Sequence, residues 1–531
     1  MSILADLKMY ARFAWGLRGY LRHTITLEEA KAIVLRRMAE REDNFLRLVE
    51  KGIFGYPRSP YLPLLKLAQV ELGDIQNMVR DKGLEDTLRA LREAGVYVTF
   101  EEFKGREPIV RDGQVIPVKA RDFDNPYLKH YYLTRSGGTT GAGTRLPTDL
   151  ESKIARAPQV MLAHDTHGVL GVPEAIWRGI LPDNSGIQNV LGSTLFSQAP
   201  SRWFSPVSSR DLRPSLKYRL ATHYVITMGR LFGAPIPRPE LVSLDSAVVV
   251  ARWAADTLAA YGACLISCHV SLAMRVALAA QECNLNLTGA TFSIGGEPPT
   301  PAKVRTITRT GARYISNYFI SEAGPVGWGC AQPIDVSDVH FMKDSLALIQ
   351  YPRQVPGMDL IIQAFLFTTL LAEAPKLMLN VEGDDYGIIE ERHCGCPLEA
   401  YGYNEHLHHV RSFRKLTGEG VTLVGSEMVY ILEEVLPARF GGSPLDYQLV
   451  EEEDSQGFTR LNLLVHPRIE ISDDNKVIEV MLEALKESSV AADVAQAIWR
   501  RAGTLQVQRR EPITTARGKL MPLHLAQRSE R

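Results

Sequence analysis

The chain has 531 residues, of which 45% are apolar and 23% are charged, a mixture typical of globular proteins. Its 60 Lys and Arg residues balance its 61 Asp and Glu residues, and a charge so close to neutral argues against general binding to nucleic acid or to an anionic membrane. Only six cysteines occur, so we expect the reducing cytoplasm rather than a disulfide-built secreted protein. The most apolar stretch, residues 358–372, is too short to cross a bilayer and predicts buried strands, so we expect no membrane insertion.

The first part of the chain, residues 1–94, predicts helices. Thr26 followed by Glu29 has the pattern of a capping box at a helix start. Residues 84–94 form a second amphipathic stretch, whereas residues 96–103 predict a strand. We expect the helical part to shape the substrate pocket or to form a homodimer interface.

Residues 95–410 alternate short apolar runs with helical stretches and Gly/Pro-rich loops, which predicts an α/β core with a largely parallel sheet. The polar residues 411–416 predict a hinge. Residues 417–531 mix strand and helix patterns and predict a small, independent α+β unit. The expected fold class is therefore α/β, with a large N-terminal domain of mixed or parallel sheets and flanking helices, followed by a small mobile α+β C-terminal domain.

The most distinctive local feature is the loop sequence TRSGGTTGAGTR at residues 134–145. Its glycines allow backbone N–H groups to point into one concavity, and its hydroxyls add further donors, an arrangement suited to a polyphosphate. The loop lacks the Gly-Lys-Ser/Thr ending of a Walker A loop and the spacing of G-x-G-x-x-G. Taken alone, the same composition would equally suit a flexible surface loop.

Five shorter motifs follow the loop. They are GGEP at Gly295–Pro298, YFISE at Tyr318–Glu322, EGD at Glu382–Asp384, the single Arg411, and RGK at Arg517–Lys519. Together with the loop, they resemble in order and separation the adenylate-forming superfamily of acyl-CoA synthetases, luciferases and adenylation domains. The resemblance extends over about residues 95–525. Within that superfamily the chain is most similar to the phenylacetate–coenzyme A ligase group, because of GGEP, the run ISEAGPVG and the short C-terminal domain.

The resemblance implies a nucleotide site. The residues implied to bind ATP or AMP are Ser136, Gly137, Gly138, Thr139, Thr140, Gly141, Gly296, Glu297, Pro298, Tyr318, Ser321, Asp384 and Arg411. Among them, Tyr318 would pack on the adenine and Asp384 would bind the ribose hydroxyls. Arg411 corresponds to the family's arginine that opens the interdomain hinge.

Three residues are implied to act in catalysis. Lys519 would contact the substrate carboxylate and the α-phosphate, and Glu322 would hold Mg²⁺. The family's loop usually ends in lysine, whereas this chain has Arg145 there, so Arg145 is the expected cation for the pyrophosphate. Phe319 is a second departure, because it replaces the family's usual glycine.

Cysteine and histidine residues suggest a second site. Thiolates and imidazoles are ligands that zinc prefers, and Cys394 and Cys396 form a close pair. The pair alone leaves its partners open. Some relatives of the phenylacetate–coenzyme A ligase group bind zinc through a Cys after the G-P-G run, a later His and a C-x-C pair, which implies Cys330 and His340 as the other two ligands here.

Such a closed set of four protein ligands would be structural rather than catalytic. His393 is a competing ligand, and four buried or idle residues are the alternative interpretation. We expect Cys264, Cys268 and Cys283 to lie in the core. The group formed by His406, His408 and His409 has the composition of a metal site, but a solvated loop is the preferred interpretation.

The implied function is ATP-dependent activation of a carboxylic acid, of aryl or arylacetic type, to an acyl-adenylate. The acyl group would then pass to a thiol, expected to be coenzyme A. ATP, Mg²⁺, structural Zn²⁺ and coenzyme A are therefore the expected cofactors and co-substrates. One alternative is transfer to a carrier-protein thiol, an amine or a protein cysteine. A second is a non-catalytic nucleotide-binding protein on a degenerate ligase fold, which the atypical loop favours and Glu322, Asp384 and Lys519 oppose.

Overall fold

The computed structural model describes most of the chain. The described residues are 3–135, 145–181, 183–196, 199–206, 216–296, 299–354, 361–412, 415–418, 421–424, 428, 431–442, 446–453, 459–488, 499, 503–513 and 523–525. Within them, no helix combines the length and the apolar content that crossing a membrane requires.

The chain begins with helices, as the sequence predicts. They are α1 (Ile3–Tyr20), α2 (Leu27–Ala39), α3 (Arg41–Leu48), α4 (Tyr61–Leu67), α5 (Leu72–Lys82) and α6 (Leu84–Glu93). The predicted capping box is confirmed, since the Glu29 N–H donates to Thr26 Oγ1 at 3.3 Å and the Thr26 N–H donates to the Glu29 carboxylate at 2.8 Å.

The strand predicted for residues 96–103 is wrong. Phe100–Phe103 forms a short helix, α7, because Thr99 and Glu102 form another capping box. The Thr99 N–H donates to the Glu102 carboxylate at 2.8 Å, which fixes a helix start where the apolar pattern indicates a strand. Val98 alone keeps a strand-like bridge, to Val381.

Two antiparallel ribbons precede the main sheet. They are formed by β1 (Ile109–Arg111) with β2 (Gln114–Ile116), and by β3 (Tyr131–Arg135) with β4 (Arg145–Asp149). The second ribbon brackets the predicted phosphate loop and leads into α8 (Leu150–Thr166). A strand therefore lies on each side of the loop, and the helix begins only at Leu150.

One large sheet organises the middle of the chain. Its strands are β5 (Glu174–Trp177), β6 (Arg202–Ser205), β7 (Pro239–Leu241), β8 (Cys264–Cys268), β9 (Ala290–Ile294), β10 (Arg313–Ile320), β11 (Gly324–Gly329), β12 (Val339–Phe341), β13 (Leu346–Gln354), β14 (Ile361–Thr369), β15 (Val381–Glu391) and β16 (Glu405–Ser412). The helices between them are α9 (Ser185–Thr194), α10 (Leu216–Leu231), α11 (Val248–Tyr261), α12 (Val270–Glu282) and α13 (Pro301–Thr308).

The sheet has a parallel half and an antiparallel half that meet at β10. The order is β13-β14-β15-β16-β12-β11-β10-β9-β8-β5-β6-β7. Strands from β10 to β7 run parallel, whereas those from β10 to β13 run antiparallel. β8 and β9 are buried at every position, as parallel strands covered on both faces should be. The long apolar stretch supplies β14, so the predicted buried strand is confirmed.

Helices α3 and α6 pack against the antiparallel half, whereas α1 and α2 lie in the apolar cluster of the parallel strands. Phe45 of α3 and Leu88 of α6 are fully buried in one apolar cluster with Phe365 of β14 and Val381 of β15. These helices therefore share a core with the sheet. A homodimer role for them stays a prediction.

The C-terminal part has its own small sheet. Its elements are β17 (Lys415–Gly418), β18 (Val421–Val424), α14 (Leu436–Phe440), β19 (Tyr447–Glu453), β20 (Thr459–Val465), α15 (Asp474–Ser488), β21 (Leu505–Arg509) and β22 (Leu523–Leu525). The four-stranded order is β21-β20-β19-β22. This mixture of strands and helices confirms the α+β class. The hinge at residues 411–416 stays a prediction.

Candidate functional site

The carboxyl ends of the parallel strands carry the first predicted nucleotide segment. Gly295 and Gly296 follow β9, His269 follows β8 and Arg178 follows β5. The His269 Nδ1 atom lies 3.1 Å from the Gly295 carbonyl oxygen and 3.1 Å from Arg178 Nη1. Ligands of open α/β sheets bind at this kind of edge.

Gly296 needs to be glycine at this edge. Its φ is +81°, and a Cβ there would lie 2.8 Å from His269 Nδ1. Burial, together with the Arg178 charge, lowers the pKa of His269 to about 3, so the imidazole is neutral at physiological pH. The cation at this edge is therefore Arg178, which the sequence analysis did not single out because nothing near it in sequence resembles a motif.

Tyr318 and the EGD segment come together across the sheet. The Tyr318 hydroxyl, on β10, donates to the Asp385 carboxylate of β15 at 2.6 Å. Asp385 directly follows Asp384, whose side chain lies outside the described residues. The two motifs therefore meet through this hydrogen bond, and their shared role in nucleotide binding stays a prediction.

Glu322 lies in the turn between β10 and β11 and forms an ion pair with Lys104. Both side chains are largely buried, and the Lys104 ammonium also lies 5.2 Å from the centre of the Phe100 ring. The carboxylate chemistry fits Mg²⁺, although the ammonium contacts one of its oxygens. Lys104 is 218 residues away in sequence, so no local pattern could have revealed it. Ser321 is exposed at the same turn.

Several predicted site residues lie outside the described residues. They are Ser136, Gly137, Gly138, Thr139, Thr140, Gly141, Glu297, Pro298 and Lys519, together with the side chains of Arg145, Asp384 and Arg411. The backbone of Arg145 is opposite Arg135 in the ribbon, so the two ends of the loop are held together. The roles of these residues stay predictions.

Three of the four predicted zinc ligands, Cys330, His340 and Cys394, lie in one group whose ligand atoms are within 4.8 Å of one another, and the fourth predicted ligand, Cys396, is not part of that group. The Cys330 and Cys394 Sγ atoms lie 3.5 Å apart, and Cys394 Sγ lies 3.8 Å from His340 Nε2. The Cys396 side chain is hydrogen-bonded to both Cys330 and His340. Two sulfurs that share one tetrahedral zinc at about 2.3 Å lie about 3.8 Å apart, so this spacing fits zinc. His393 points elsewhere, is exposed, and lies 3.6 Å from Glu399.

His406 is a fifth donor that the sequence analysis did not choose. It is opposite His340 in the pairing of β12 with β16, and its ligand atom lies within 4.8 Å of those of Cys330, His340 and Cys394. His406 and His408 are buried on a strand, so the prediction of a solvated loop is wrong. The strand is covered on both faces here, because Leu407 between the two histidines is also fully buried, whereas His409 is exposed.

Both histidines of the cluster have ring orientations that are fixed by hydrogen bonds of their Nδ1 atoms. His340 Nδ1 lies 2.7 Å from the Tyr403 carbonyl oxygen, which can only accept, so Nδ1 carries the proton and Nε2 presents a lone pair. His406 Nδ1 lies 2.8 Å from an Asp338 carboxylate oxygen. Among the described residues, His406 Nε2 is buried without a hydrogen-bond partner. Both features are typical of metal-ligating histidines.

The thiols of the cluster differ in acidity. Hydrogen bonding with Cys330 lowers the pKa of Cys396 to about 4, and the same bond, with burial, raises the pKa of Cys330. A thiolate, the form that binds zinc, is therefore favoured at Cys396. Among the other cysteines, Cys264 and Cys268 are buried as expected, but Cys283 is exposed at the end of α12, which corrects the prediction that it lies in the core.

No protein-family model matches the chain, and no curated protein is similar to it in sequence. Among solved structures, it is similar to 2-hydroxyisobutyryl-CoA ligase in complex with 2-HIB-AMP and CoA, with 15% identity, a TM-score of 0.54, and 95% of this chain and 91% of that chain covered. An open conformation of the same ligase gives 14% identity and a TM-score of 0.43, with 90% of this chain and 92% of that chain covered. An amide bond synthetase from Marinactinospora thermotolerans gives 11% identity and a TM-score of 0.39, with 87% of this chain and 91% of that chain covered. At 15% identity, the similarity to 2-hydroxyisobutyryl-CoA ligase in complex with 2-HIB-AMP and CoA shows the fold alone.

Proposed function

We propose that the chain is an ATP-dependent ligase that activates a carboxylic acid as an acyl-adenylate and then transfers the acyl group to coenzyme A. The observation that carries the proposal is the convergence of Tyr318, Asp385 and Glu322 at β10, where the two halves of the sheet meet. The fold supports it, because the similar 2-hydroxyisobutyryl-CoA ligase is described in complex with 2-HIB-AMP and CoA. An aryl or arylacetic acid and a cytoplasmic location remain the expectations from the sequence.

The first half-reaction joins two anions. A carboxylate oxygen forms a bond to the α-phosphorus of ATP, the bond from that phosphorus to the bridging oxygen breaks, and pyrophosphate leaves with the electron pair. The protein must align these groups and offset their repulsion. In the proposal, Tyr318 holds the base, Glu322 is the ligand for Mg²⁺, and Lys519 contacts the reacting carboxylate. Mg²⁺, when bound, supplies charge neutralisation of the phosphates.

The second half-reaction needs no protein nucleophile. The thiol sulfur attacks the carbonyl carbon of the adenylate, the bond to the phosphate oxygen breaks, and AMP leaves while the thiol proton passes to solvent. A carrier-protein thiol, an amine or a protein cysteine could accept the acyl group in the same way, and these acceptors are the alternatives to be tested.

The acceptor is tested by thioester formation. Purified full-length protein is incubated with ATP, Mg²⁺ and a panel of aryl, arylacetic and aliphatic acids, with coenzyme A, a phosphopantetheinyl carrier protein or an amine as acceptor. We expect AMP to form in step with loss of the free thiol of coenzyme A. Acyl transfer to the carrier protein or the amine, with coenzyme A inert, would contradict the proposed acceptor.

We further propose a structural zinc ion held by Cys330, His340, Cys394 and either Cys396 or His406. The cluster would connect the end of β11 to β12 and to the segment between β15 and β16. Zinc binding stabilises the fold of such segments directly.

The zinc proposal is tested by metal content and thermal unfolding. Wild type is expected to carry about one zinc per chain, and Cys394→Ser to lose most of it with a lower unfolding temperature. Cys283→Ser is the matched control, because Cys283 is exposed outside the cluster, and it should keep its zinc. Equal metal content in the Cys394→Ser variant and in wild type would disprove the site.

A further inference from the structure

Arg156 lies near the turn that carries Ser321 and Glu322. It projects from the second turn of α8, the helix that follows the phosphate loop and β4. Its guanidinium lies against Gly324, since a Cβ on Gly324 would be 2.4 Å from Arg156 Nε and 2.5 Å from Cζ. Gly324 has a φ of +108° and begins β11, two residues after Glu322. The absence of a side chain at Gly324 therefore lets the guanidinium approach the turn that carries Ser321 and Glu322.

An aromatic ring holds the same guanidinium from another side. Arg156 Cζ lies 5.8 Å from the centre of the Phe319 ring, within the range of a cation–π contact. Phe319 is half-exposed and stands where the family resemblance expects glycine. The contact with Arg156 gives that departure a physical role, because the ring fixes one face of the guanidinium and leaves its edge for other groups.

One donor at the edge of the guanidinium has no acceptor in the described part of the chain. Arg156 Nη2 is buried there without a hydrogen-bond partner, and Arg156 makes no ion pair with a described residue. Glu373 borders the same small cleft with Arg156 and Ala323. Burial lowers the pKa of Arg156 to about 10, which still leaves it charged at neutral pH, and the Asp149 charge favours that form. A buried cationic donor without an acceptor is costly, so an anionic ligand would stabilise this arrangement.

We propose that Arg156 binds the β- and γ-phosphates of ATP, and the pyrophosphate made from them, and so supplies a cation besides Arg145 in a chain whose loop does not end in the family's usual lysine. This inference rests on the proposed ATP-dependent function. A guanidinium suits the role, because its planar fork can donate to two phosphate oxygens at once. Phe319 and Gly324 then act as the two walls that position it. Arg145 remains a second candidate cation, with its side chain outside the described residues.

The test is direct binding of inorganic pyrophosphate with Mg²⁺, measured by calorimetry on the full-length protein. Arg156→Met should weaken binding about 10- to 100-fold, the range for a lost hydrogen bond to a charged group. The KM for ATP should rise while the KM for the acid stays unchanged, a split that general destabilisation would not produce. Arg156→Lys should restore part of the affinity. Arg156→Gln, which keeps an amide donor but no charge, gives the same test if the Met variant does not fold.

Arg41→Met is the matched control. Arg41 is also a largely buried arginine, but it pairs with Glu85 and with the Lys343 carbonyl oxygen, away from the predicted site residues. The Arg41→Met variant should bind pyrophosphate as tightly as wild type does. If the wild-type protein is active and a folded Arg156→Met or Arg156→Gln variant binds pyrophosphate as tightly as wild type does, this inference is wrong and the proposed function still stands. A wild type that binds neither ATP nor pyrophosphate would remove the proposed function and this inference together.

Discussion

The Lys104–Glu322 ion pair lies where the proposed chemistry begins. Its ammonium contacts the carboxylate that is expected to hold Mg²⁺, so the two cations compete for the same oxygens. The substitution Lys104→Met removes a positive charge that is in contact with the Glu322 carboxylate. We expect the Mg²⁺ concentration needed for half-maximal activity to fall about fivefold, equivalent to about 1 kcal/mol of relieved repulsion.

A magnesium titration of adenylate formation measures this effect. Lys104→Arg is the matched control, because it keeps the charge and should keep the wild-type requirement. If Lys104→Met needs as much Mg²⁺ as wild type, or more, Lys104 does not compete with the metal.

Single residues differ in how far the sequence could predict their role. Tyr318 and Glu322 could be proposed from the sequence, because each lies in a short contiguous motif, and their roles stay predictions. Lys104, Arg156 and His406 were not, because their roles arise from contacts between segments far apart in sequence. A lone Lys or Arg on a helix has no pattern that separates a site residue from a solvated one.

At the scale of elements, β5 carries a partly buried acid that should make stability depend on pH. Both carboxylate oxygens of Glu174 accept hydrogen bonds at 2.7 Å, from the hydroxyls of Ser193 on α9 and Ser267 on β8. Burial raises the pKa of Glu174 above its ordinary 4.5, although the two hydroxyls oppose the shift. The folded state therefore holds this proton at pH values where the unfolded chain has released it.

The sign of the effect follows from linkage. The contribution of Glu174 is fully present below pH 4.5 and is lost as pH rises through its folded-state pKa. The Glu174→Gln side chain cannot ionise. The unfolding temperature of the variant, relative to that of wild type, should therefore increase as pH rises from about 4.5 to 7. Paired thermal unfolding at the two pH values measures the change. A constant difference between the two proteins would contradict the raised pKa.

Elements were predictable where one local signal dominated. The apolar stretch of β14 and the Thr26 capping box had no competing signal, and both are confirmed. Residues 96–103 carried two signals, an apolar run and the pair Thr99 and Glu102, and the capping box decided the structure. The antiparallel half of the sheet could not be predicted, because strand direction depends on which distant strands pair.

For the whole molecule, the proposal assigns the two half-reactions to different parts of the chain. The large sheet carries the nucleotide segments, whereas Lys519 belongs to the C-terminal part and is expected to act only in adenylation. Lys519→Ala should therefore lose pyrophosphate exchange but largely keep thioester formation from a supplied acyl-adenylate. Assays of both half-reactions on the same sample measure this separation. Equal loss of the two activities would exclude that role for Lys519.

The most direct test of the proposed ligase function is carboxylate-dependent exchange of labelled pyrophosphate into ATP. It requires only the first half-reaction, so it is independent of the acceptor. With Mg²⁺ present, we predict exchange with at least one aryl or arylacetic acid and none without acid. If ATP binds but no acid in a broad panel supports exchange, the chain is a nucleotide-binding protein on a ligase fold and the proposed activity is wrong.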